Sequence, residues 1–135
     1  PYEEPYRDIF ASLLRKNDAY DTMKELGRLR FMATSFVRGL TWDNAVVVID
    51  EAQSMTFHEI SSVITRLGDN SKLILCGDIA QNDLITKKND QSGYIRALKV
   101  LGKMNGVDIV TFTREDIVRS SFVREWICAV EDTPE

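Results

Sequence analysis

Two adjacent carboxylates, Asp50 and Glu51, are the residues of this 135-residue chain best suited to chemistry. They directly follow the apolar run Val46–Ile49, in which three of the four residues are valine. An aspartate can hold Mg²⁺ through the water shell of the ion, because Mg²⁺ prefers one or two carboxylates together with water and phosphate oxygens. A neighbouring glutamate can orient and polarise an attacking water molecule. The pair is therefore suited to metal-assisted hydrolysis of a phosphate bond.

The elements that would position these acids are two buried strands and the helix between them. The run at 46–49 predicts a strand buried on both faces, as is typical of a parallel sheet. A second apolar run, Leu73–Cys76, ends in Gly77 and Asp78. A helix-length segment joins the two runs, which predicts a right-handed βαβ unit. Because open α/β sheets bind ligands at the carboxyl ends of their strands, we expect both polar ends to share one binding edge.

Each of these polar segments also has a purely structural interpretation. Asp50 and Glu51 could form the turn and helix N-cap that follow a strand in many α/β proteins. The segment 77–79 could be an ordinary turn. The occurrence of both segments at the ends of two neighbouring strands favours a ligand site.

Local patterns predict the other elements of the chain. A crossover helix over residues 54–67 is expected to begin with Thr56 as N-cap and Glu59 three residues later, which is the pattern of a capping box. Further predicted elements are two amphipathic helices within residues 1–28, strands at 30–36 and 107–112, and helices at 92–104 and 121–130. We expect the last helix to bury Phe122 and Trp126.

The ordered motifs of the chain resemble the PhoH-like P-loop ATPases, a family related to the first RecA-like domain of superfamily 1 helicases. The matching segments are Arg38-Gly39-Leu40-Thr41, Asp50-Glu51-Ala52-Gln53, Gly77-Asp78-x-x-Gln81-x-Asp83-Leu84, Gln91-Ser92-Gly93 and Val118-Arg119. The resemblance covers nearly the whole chain, from Pro5 to Trp126. It implies an α/β fold: a RecA-like P-loop NTPase core with a mostly parallel sheet and flanking helices, incomplete at its N-terminus.

The resemblance implies ATP binding and hydrolysis, with this chain supplying the Walker B half of the ATPase. Asp50 would bind the Mg²⁺ ion, and Glu51 would activate the attacking water. Gln81 would sense the γ-phosphate of ATP, which a neutral amide can do by hydrogen bonding without adding charge. Gly77 and Asp78 would lie beside the bound nucleotide.

Two arginines are further candidates that the resemblance implies. Arg38 would contact phosphate at the nucleotide edge of the sheet, although it could equally be a surface arginine paired with Asp43. Arg119 would reach the site of a neighbouring subunit and neutralise transition-state charge. A structural salt bridge between Arg119 and Glu115 or Asp116 is the alternative.

The phosphate-binding motif of P-loop ATPases, Gly-x-x-x-x-Gly-Lys-Ser/Thr, does not occur in the chain, since none of its seven glycines precedes Lys-Ser or Lys-Thr. In the resembled family this motif lies upstream. We therefore expect the C-terminal part of a longer ATPase domain, with residues 1–28 as a helical insertion and 29–130 as the α/β core. Such a chain should be inactive alone and should self-associate through the vacant sheet position. The alternative is a non-catalytic protein-interaction module on a remnant P-loop fold, binding its partner through the N-terminal helices.

Composition limits the possible classes of protein. The length predicts one domain, and the apolar content of 44% and charged content of 28% are typical of a globular protein. The net charge of −4 gives no general attraction for nucleic acid, so a local basic patch would be needed. Cys76 and Cys128 lack metal-ligand spacing and are expected to be buried, reduced thiols. The expected setting is cytoplasmic and without membrane contact. The resemblance implies a ring-shaped homo-oligomer, such as a hexamer, acting on RNA or another single-stranded nucleic acid.

Overall fold

A computed structural model describes residues 2–79 and 93–133 of the chain. The chain divides into two compact units, residues 1–97 and residues 98–135, and each is described by itself. The helices of the described residues are α1 (Glu4–Leu14), α2 (Ala19–Glu25), α3 (Phe57–Ile64), α4 (Gly93–Leu101) and α5 (Ser121–Glu131), and the strands are β1 (Val46–Ile49) and β2 (Lys72–Leu75). No helix in this part of the chain has the length and apolar character that a membrane span requires.

The predicted pair of parallel strands is confirmed. β1 and β2 pair in parallel, with Val46 opposite Lys72 and Ile49 opposite Leu75, and α3 lies between them in the sequence. A further isolated parallel bridge pairs Trp42, which precedes β1 in the sequence, with Leu67, which precedes β2. The fold of this unit is therefore α/β, and the residues after Ile49 and Leu75 lie at the same edge of the sheet. We call this the carboxyl edge.

The prediction that the sheet is buried on both faces is wrong for the described residues. Val46 and Val48 are 63% and 57% exposed, and Ile74 on β2 is exposed as well. Ile49 is buried. Because successive side chains of a strand point to opposite faces, the exposed residues share one face of the sheet, and no described residue covers that face. A run of valines therefore marks the strand correctly but does not reveal how many of its faces are covered.

The start of α3 follows the sequence prediction. The Glu59 amide donates to the Thr56 hydroxyl at 3.3 Å, and the Thr56 amide donates to the Glu59 carboxylate at 2.8 Å, which completes the capping box. Ile60 and Val63 are buried in the core. The helix ends at Ile64, three residues earlier than expected.

Two predicted strands do not form in the described residues. The segment 30–36 is irregular and ends in a 3₁₀ turn at Thr34–Phe36. The segment 107–112 pairs with no other strand. A strand needs the backbone groups of a partner for its hydrogen bonds, and β1 and β2 pair only with each other. Apolar alternation alone was therefore insufficient to place these segments in the sheet.

The two N-terminal helices pack against each other. The rings of Phe10 and Tyr20 meet edge to face with centroids 5.5 Å apart, and Tyr20 is buried. The Tyr20 hydroxyl donates to the Glu3 carboxylate at 2.8 Å, and Lys24 pairs with the same carboxylate at 2.6 Å. These contacts make α1 and α2 a braced helical pair. The two helices were predicted from the sequence, whereas their contacts with each other were not.

The C-terminal unit differs from its prediction in the exposure of its helix. Phe122 and Trp126 on α5 are 75% and 65% exposed, so the expectation that they are buried is wrong within the described part of the chain. Arg114 links the turn before α5 to the end of this helix, with bonds of 2.6 Å to Glu131 and to Asp132. Helical periodicity identified the apolar side of α5, but it gives no information on whether a neighbour covers that side.

Candidate functional site

The candidate site lies at the carboxyl edge, where β1 and β2 end side by side. The Cys76 amide donates to the Ile49 carbonyl at 2.8 Å, and the Ala52 amide donates to the Cys76 carbonyl at 2.9 Å. Between these bonds, Asp50 and Glu51 leave the strand as exposed residues. Glu51 has φ 53° and ψ 37°, in the left-handed region that residues other than glycine seldom adopt. Such a conformation costs on the order of 1 kcal/mol and occurs at helix ends and turns, as at Arg15 and Asn70, as well as at functional sites.

Asp50 is held by one hydrogen-bond donor on each carboxylate oxygen. The Glu51 amide donates to Oδ1 at 3.0 Å, and the hydroxyl of Tyr6 donates to Oδ2 at 2.8 Å. The bond to Asp50, followed by burial, raises the pKa of Tyr6 to about 12, so the hydroxyl remains a donor at neutral pH. Because each carboxylate oxygen has two acceptor positions, both oxygens retain room for a water molecule.

The surroundings of Asp50 suit a Mg²⁺ ion that keeps most of its water molecules, rather than an ion enclosed by protein ligands. Among residues 2–79 and 93–133, no three His, Cys, Asp or Glu side chains come together as a metal-binding group. Mg²⁺ usually keeps several water molecules and uses one or two carboxylates together with phosphate oxygens. The exposed Asp50 carboxylate, fixed in orientation and with acceptor positions left over, can serve as such a ligand through water.

The side chain of Gln53 joins the two halves of the carboxyl edge. Its Nε2 group donates to Oε2 of Glu51 at 2.7 Å, and its Oε1 atom accepts the amide hydrogen of Asp78 at 3.1 Å. The Gln53 residue is only 5% exposed. The bridge therefore fixes Glu51, the candidate for water activation that follows β1, relative to the turn that follows β2.

Gly77 is placed where a larger residue would not fit. A Cβ atom at this position would lie 2.7 Å from Cζ of Tyr94 and 3.1 Å from Oε1 of Gln53. The Tyr94 hydroxyl donates to the Gly77 carbonyl at 3.3 Å. Burial, followed by the nearby Cys76 and Asp78 side chains, raises the pKa of Tyr94, so its hydroxyl remains a donor. Tyr94 and Gln53 thus support the Gly77–Asp78 turn.

Arg38 lies in a different polar cleft from the acidic pair. The cleft is lined by Arg38, Thr34 and Ser35 on one side and by His58, Glu59 and Ser62 of α3 on the other. No salt bridge joins Arg38 to Asp43 in the described residues, and the Asp43 carboxylate instead accepts the amide of Asp69 at 2.8 Å. The alternative prediction of an Arg38–Asp43 pair is therefore wrong, and a phosphate contact by Arg38 stays a prediction.

The two remaining candidates are not brought to the carboxyl edge by any described contact. Gln81 and the rest of its motif to Leu84 lie outside the described residues. Arg119 is exposed in the C-terminal unit. In the described part of the chain it forms no salt bridge with Glu115 or Asp116, so that alternative is wrong. Asp116 instead accepts the amide of Thr113 at 2.7 Å.

The cysteine prediction is correct in one respect and wrong in the other. Cys76 and Cys128 are both free thiols, as expected. Cys76 is exposed and Cys128 is partly exposed, so neither is buried. Desolvation by its surroundings and the nearby Asp50 charge raise the pKa of Cys76. This thiol therefore borders the carboxyl edge in its neutral form.

Three residues of the site were not identified as site residues from the sequence. Gln53 is the last residue of the Asp50–Gln53 motif, so its position in the sequence was visible. The motif does not indicate that its side chain bridges the ends of the two strands. Tyr6 lies within the first amphipathic helical pattern, which does not mark it as a site residue, and Tyr94 carries no signal in the sequence. Tyr6 contacts a residue 44 positions away, and no local pattern indicates such a contact.

Comparison with known proteins identifies the family of the chain. Residues 1–131 match the family of PhoH-like proteins. The chain is 35% identical over 130 residues to Protein PhoH of Escherichia coli K12, which is 96% of this chain and 36% of that protein. It is 33% identical over 131 residues to a PhoH-like protein of Bacillus subtilis, and these residues are 97% of this chain and 40% of the relative. The chain thus spans well under half the length of these relatives. With a match over nearly its whole length, this chain belongs to the PhoH-like protein family.

Proposed function

We propose that the full-length protein containing this chain binds ATP together with Mg²⁺ and hydrolyses it. The observation that carries the proposal is the Gln53 bridge, which connects Glu51 at the end of β1 with Asp78 after β2. Membership of the PhoH-like family supports a P-loop ATPase-like function. The carboxyl edge is also where open α/β sheets bind their ligands. A RecA-like arrangement of the complete core is part of this proposal.

In the proposed reaction, Asp50 and Glu51 have separate tasks. Asp50 holds the ion through water, using the acceptor positions that Tyr6 and the Glu51 amide leave open. The ion supplies charge neutralisation at the phosphate oxygens. Glu51 accepts a hydrogen bond from the attacking water and polarises it, while the Gln53 amide fixes the position of the Glu51 carboxylate.

The other predicted residues complete the proposed site. The backbone of Gly77 and Asp78 borders the nucleotide, and Gln81 senses the γ-phosphate. Arg38, which lines a separate polar cleft, contacts phosphate. Arg119, exposed and without a carboxylate partner in the described residues, acts on the site of an adjacent subunit. These four roles rest on the family motifs.

The proposal extends to the setting of the full-length protein. We place it in the cytoplasm, since both cysteines are free thiols, and we expect a ring-shaped homo-oligomer that acts on RNA or another single-stranded nucleic acid. The exposed apolar face of the sheet, formed by Val46, Val48 and Ile74, supports self-association when the chain is produced alone. Analytical ultracentrifugation tests this point, and a monomer at high concentration would contradict it.

The Mg²⁺ dependence of ATP hydrolysis by the full-length protein tests the proposal. Asp50→Asn should abolish Mg²⁺-dependent phosphate release, because the amide cannot replace the charge that holds the ion. Asp69→Asn is the matched control, since Asp69 is exposed before β2, at the opposite end of the sheet. Equal turnover by Asp50→Asn and Asp69→Asn would reject the assignment of Asp50.

A second candidate function is a non-catalytic interaction module that binds a protein through α1. The observation that favours it is the exposure of Ile9, Leu13 and Leu14 on this helix. Such a module would release no phosphate from ATP in the wild-type form, either with or without RNA. Turnover by the wild-type protein would therefore reject it as the main function.

A further inference from the structure

Tyr6 connects the N-terminal helical pair to the candidate metal ligand. Its hydroxyl lies 2.8 Å from Oδ2 of Asp50, although 44 residues separate the two in sequence. Tyr6 is half-buried in the first turns of α1. None of the family motifs in the sequence includes this tyrosine, and the proposed ATPase mechanism does not require it.

The position of Tyr6 is fixed by a packing contact of its ring and by further contacts along its helix. The Tyr6 ring packs against Phe31 with centroids 5.6 Å apart. One turn of helix further along, Phe10 packs edge to face on the buried Tyr20. Arg7, the next residue, pairs with Asp21 of α2. The hydroxyl is therefore presented by a braced element, and its bond to Asp50 does not depend on a freely moving terminus.

The geometry at Asp50 shows what this contact does. One carboxylate oxygen accepts the Glu51 amide and the other accepts the Tyr6 hydroxyl. Two donors on opposite oxygens set the plane of the carboxylate and leave one acceptor position on each oxygen. Partners of this kind orient a metal ligand before the metal arrives, and their loss commonly weakens metal binding by about 10- to 100-fold.

We propose that Tyr6 is a positioning residue for the divalent cation, so that the α1–α2 pair sets the cation affinity of the site through the orientation of Asp50. The inference rests on the proposed function. It assigns to the N-terminal helices a task in the active site, whereas the sequence suggested only an insertion or a partner-binding surface.

Binding of Mn²⁺, used as a spectroscopic substitute for Mg²⁺, tests the inference in the full-length protein. Electron paramagnetic resonance measures free Mn²⁺ during titration in the presence of ATP, and a separate titration measures ATP affinity in EDTA. Tyr6→Phe keeps the ring contact with Phe31 and removes only the hydroxyl. We expect it to raise the Kd for Mn²⁺ by about 10-fold or more and to leave the ATP affinity in EDTA unchanged.

Tyr2→Phe is the matched control for this experiment. It also removes a tyrosine hydroxyl, but Tyr2 precedes α1 and is 82% exposed. Its Kd for Mn²⁺ should equal that of the wild type. The inference is overturned if Tyr6→Phe binds Mn²⁺ like the wild type, or if Tyr2→Phe weakens binding to the same extent. Failure of the wild-type protein to bind Mn²⁺ with ATP would reject the proposed function itself and this inference with it.

Discussion

Replacement of Gln53 tests whether one buried amide holds the two halves of the carboxyl edge together. Gln53→Met keeps an apolar stem of similar length but loses the bonds to Glu51 at 2.7 Å and to the Asp78 amide at 3.1 Å. A hydrogen bond to a charged group contributes about 1.5–3 kcal/mol and a neutral one about 1 kcal/mol. Glu51 and Asp78 are both exposed to water, so we expect a net loss in the free energy of unfolding of about 1–2 kcal/mol.

Comparison of Gln53→Ala with Gln53→Met separates the contribution of the hydrogen bonds to stability from that of side-chain packing. It removes buried methylene surface as well, at about 0.8 kcal/mol per methylene group, so its total cost should be about 2–3 kcal/mol. Urea unfolding of the full-length protein measures both variants, with an unchanged dependence on urea concentration as the sign that only stability has changed. Equal costs for the two variants would mean that packing is not a separate contribution.

The functional consequence of Gln53→Met is expected to exceed its effect on stability. Without the amide, the Glu51 carboxylate is no longer fixed relative to the attacking water, and misplacement of this kind lowers turnover by about 10- to 100-fold. Wild-type stability together with wild-type turnover in Gln53→Met would refute the bridging role.

Two other features of the fold are tested by substitution and by pH. Gly93→Ala should lower the free energy of unfolding by about 1–3 kcal/mol, because its methyl group would lie 2.7 Å from the Met55 carbonyl oxygen. Gly102→Ala, with its nearest neighbour at 3.3 Å, should change it little, and equal effects in urea unfolding would contradict this packing. The capping bonds from Thr56 lower the pKa of Glu59 from its ordinary value of 4.5. The stability from this carboxylate is thus present above pH 4.5 and is lost as the pH falls through the lowered pKa of the folded protein. Glu59→Gln should therefore flatten the fall of the melting temperature in acid, and an unchanged acid profile would contradict the assignment.

The parts of the fold that were predicted correctly are those with strong local signals. The valine run before Asp50 identified β1, and the Thr56 and Glu59 pair identified the start of α3. In both cases the local preference of the residues agrees with the contacts that surround them. The parallel pairing of β1 with β2 followed from the helix-length segment between them.

The errors arose where structure depends on a partner that the local sequence does not specify. The segments 30–36 and 107–112 have strand-like composition, but no described strand offers them a ladder of hydrogen bonds. The exposed valines of β1 and the exposed aromatic residues of α5 reflect the same limit. An apolar pattern identifies a surface suited to burial, whereas burial itself depends on tertiary neighbours.

The candidate site was predictable in its acids but not in its supporting residues. Asp50 and Glu51 could be recognised because their chemistry and their position after a strand coincide. The hydrogen bonds of Tyr6 and Gln53 depend on three-dimensional placement, and the left-handed backbone of Glu51 is uncommon for glutamate. The structure therefore adds to the sequence the groups that orient the two acids.

ATP turnover by the full-length protein, wild type beside Glu51→Gln, tests the central claim most directly. If Glu51 polarises the attacking water, the variant should still bind ATP with Mg²⁺ but lose turnover by about 100-fold or more. Glu25→Gln, at the exposed end of α2, should hydrolyse ATP like the wild type. Equal turnover by the wild type and Glu51→Gln would contradict the assignment of the catalytic glutamate, and a wild type without turnover would contradict the ATPase proposal.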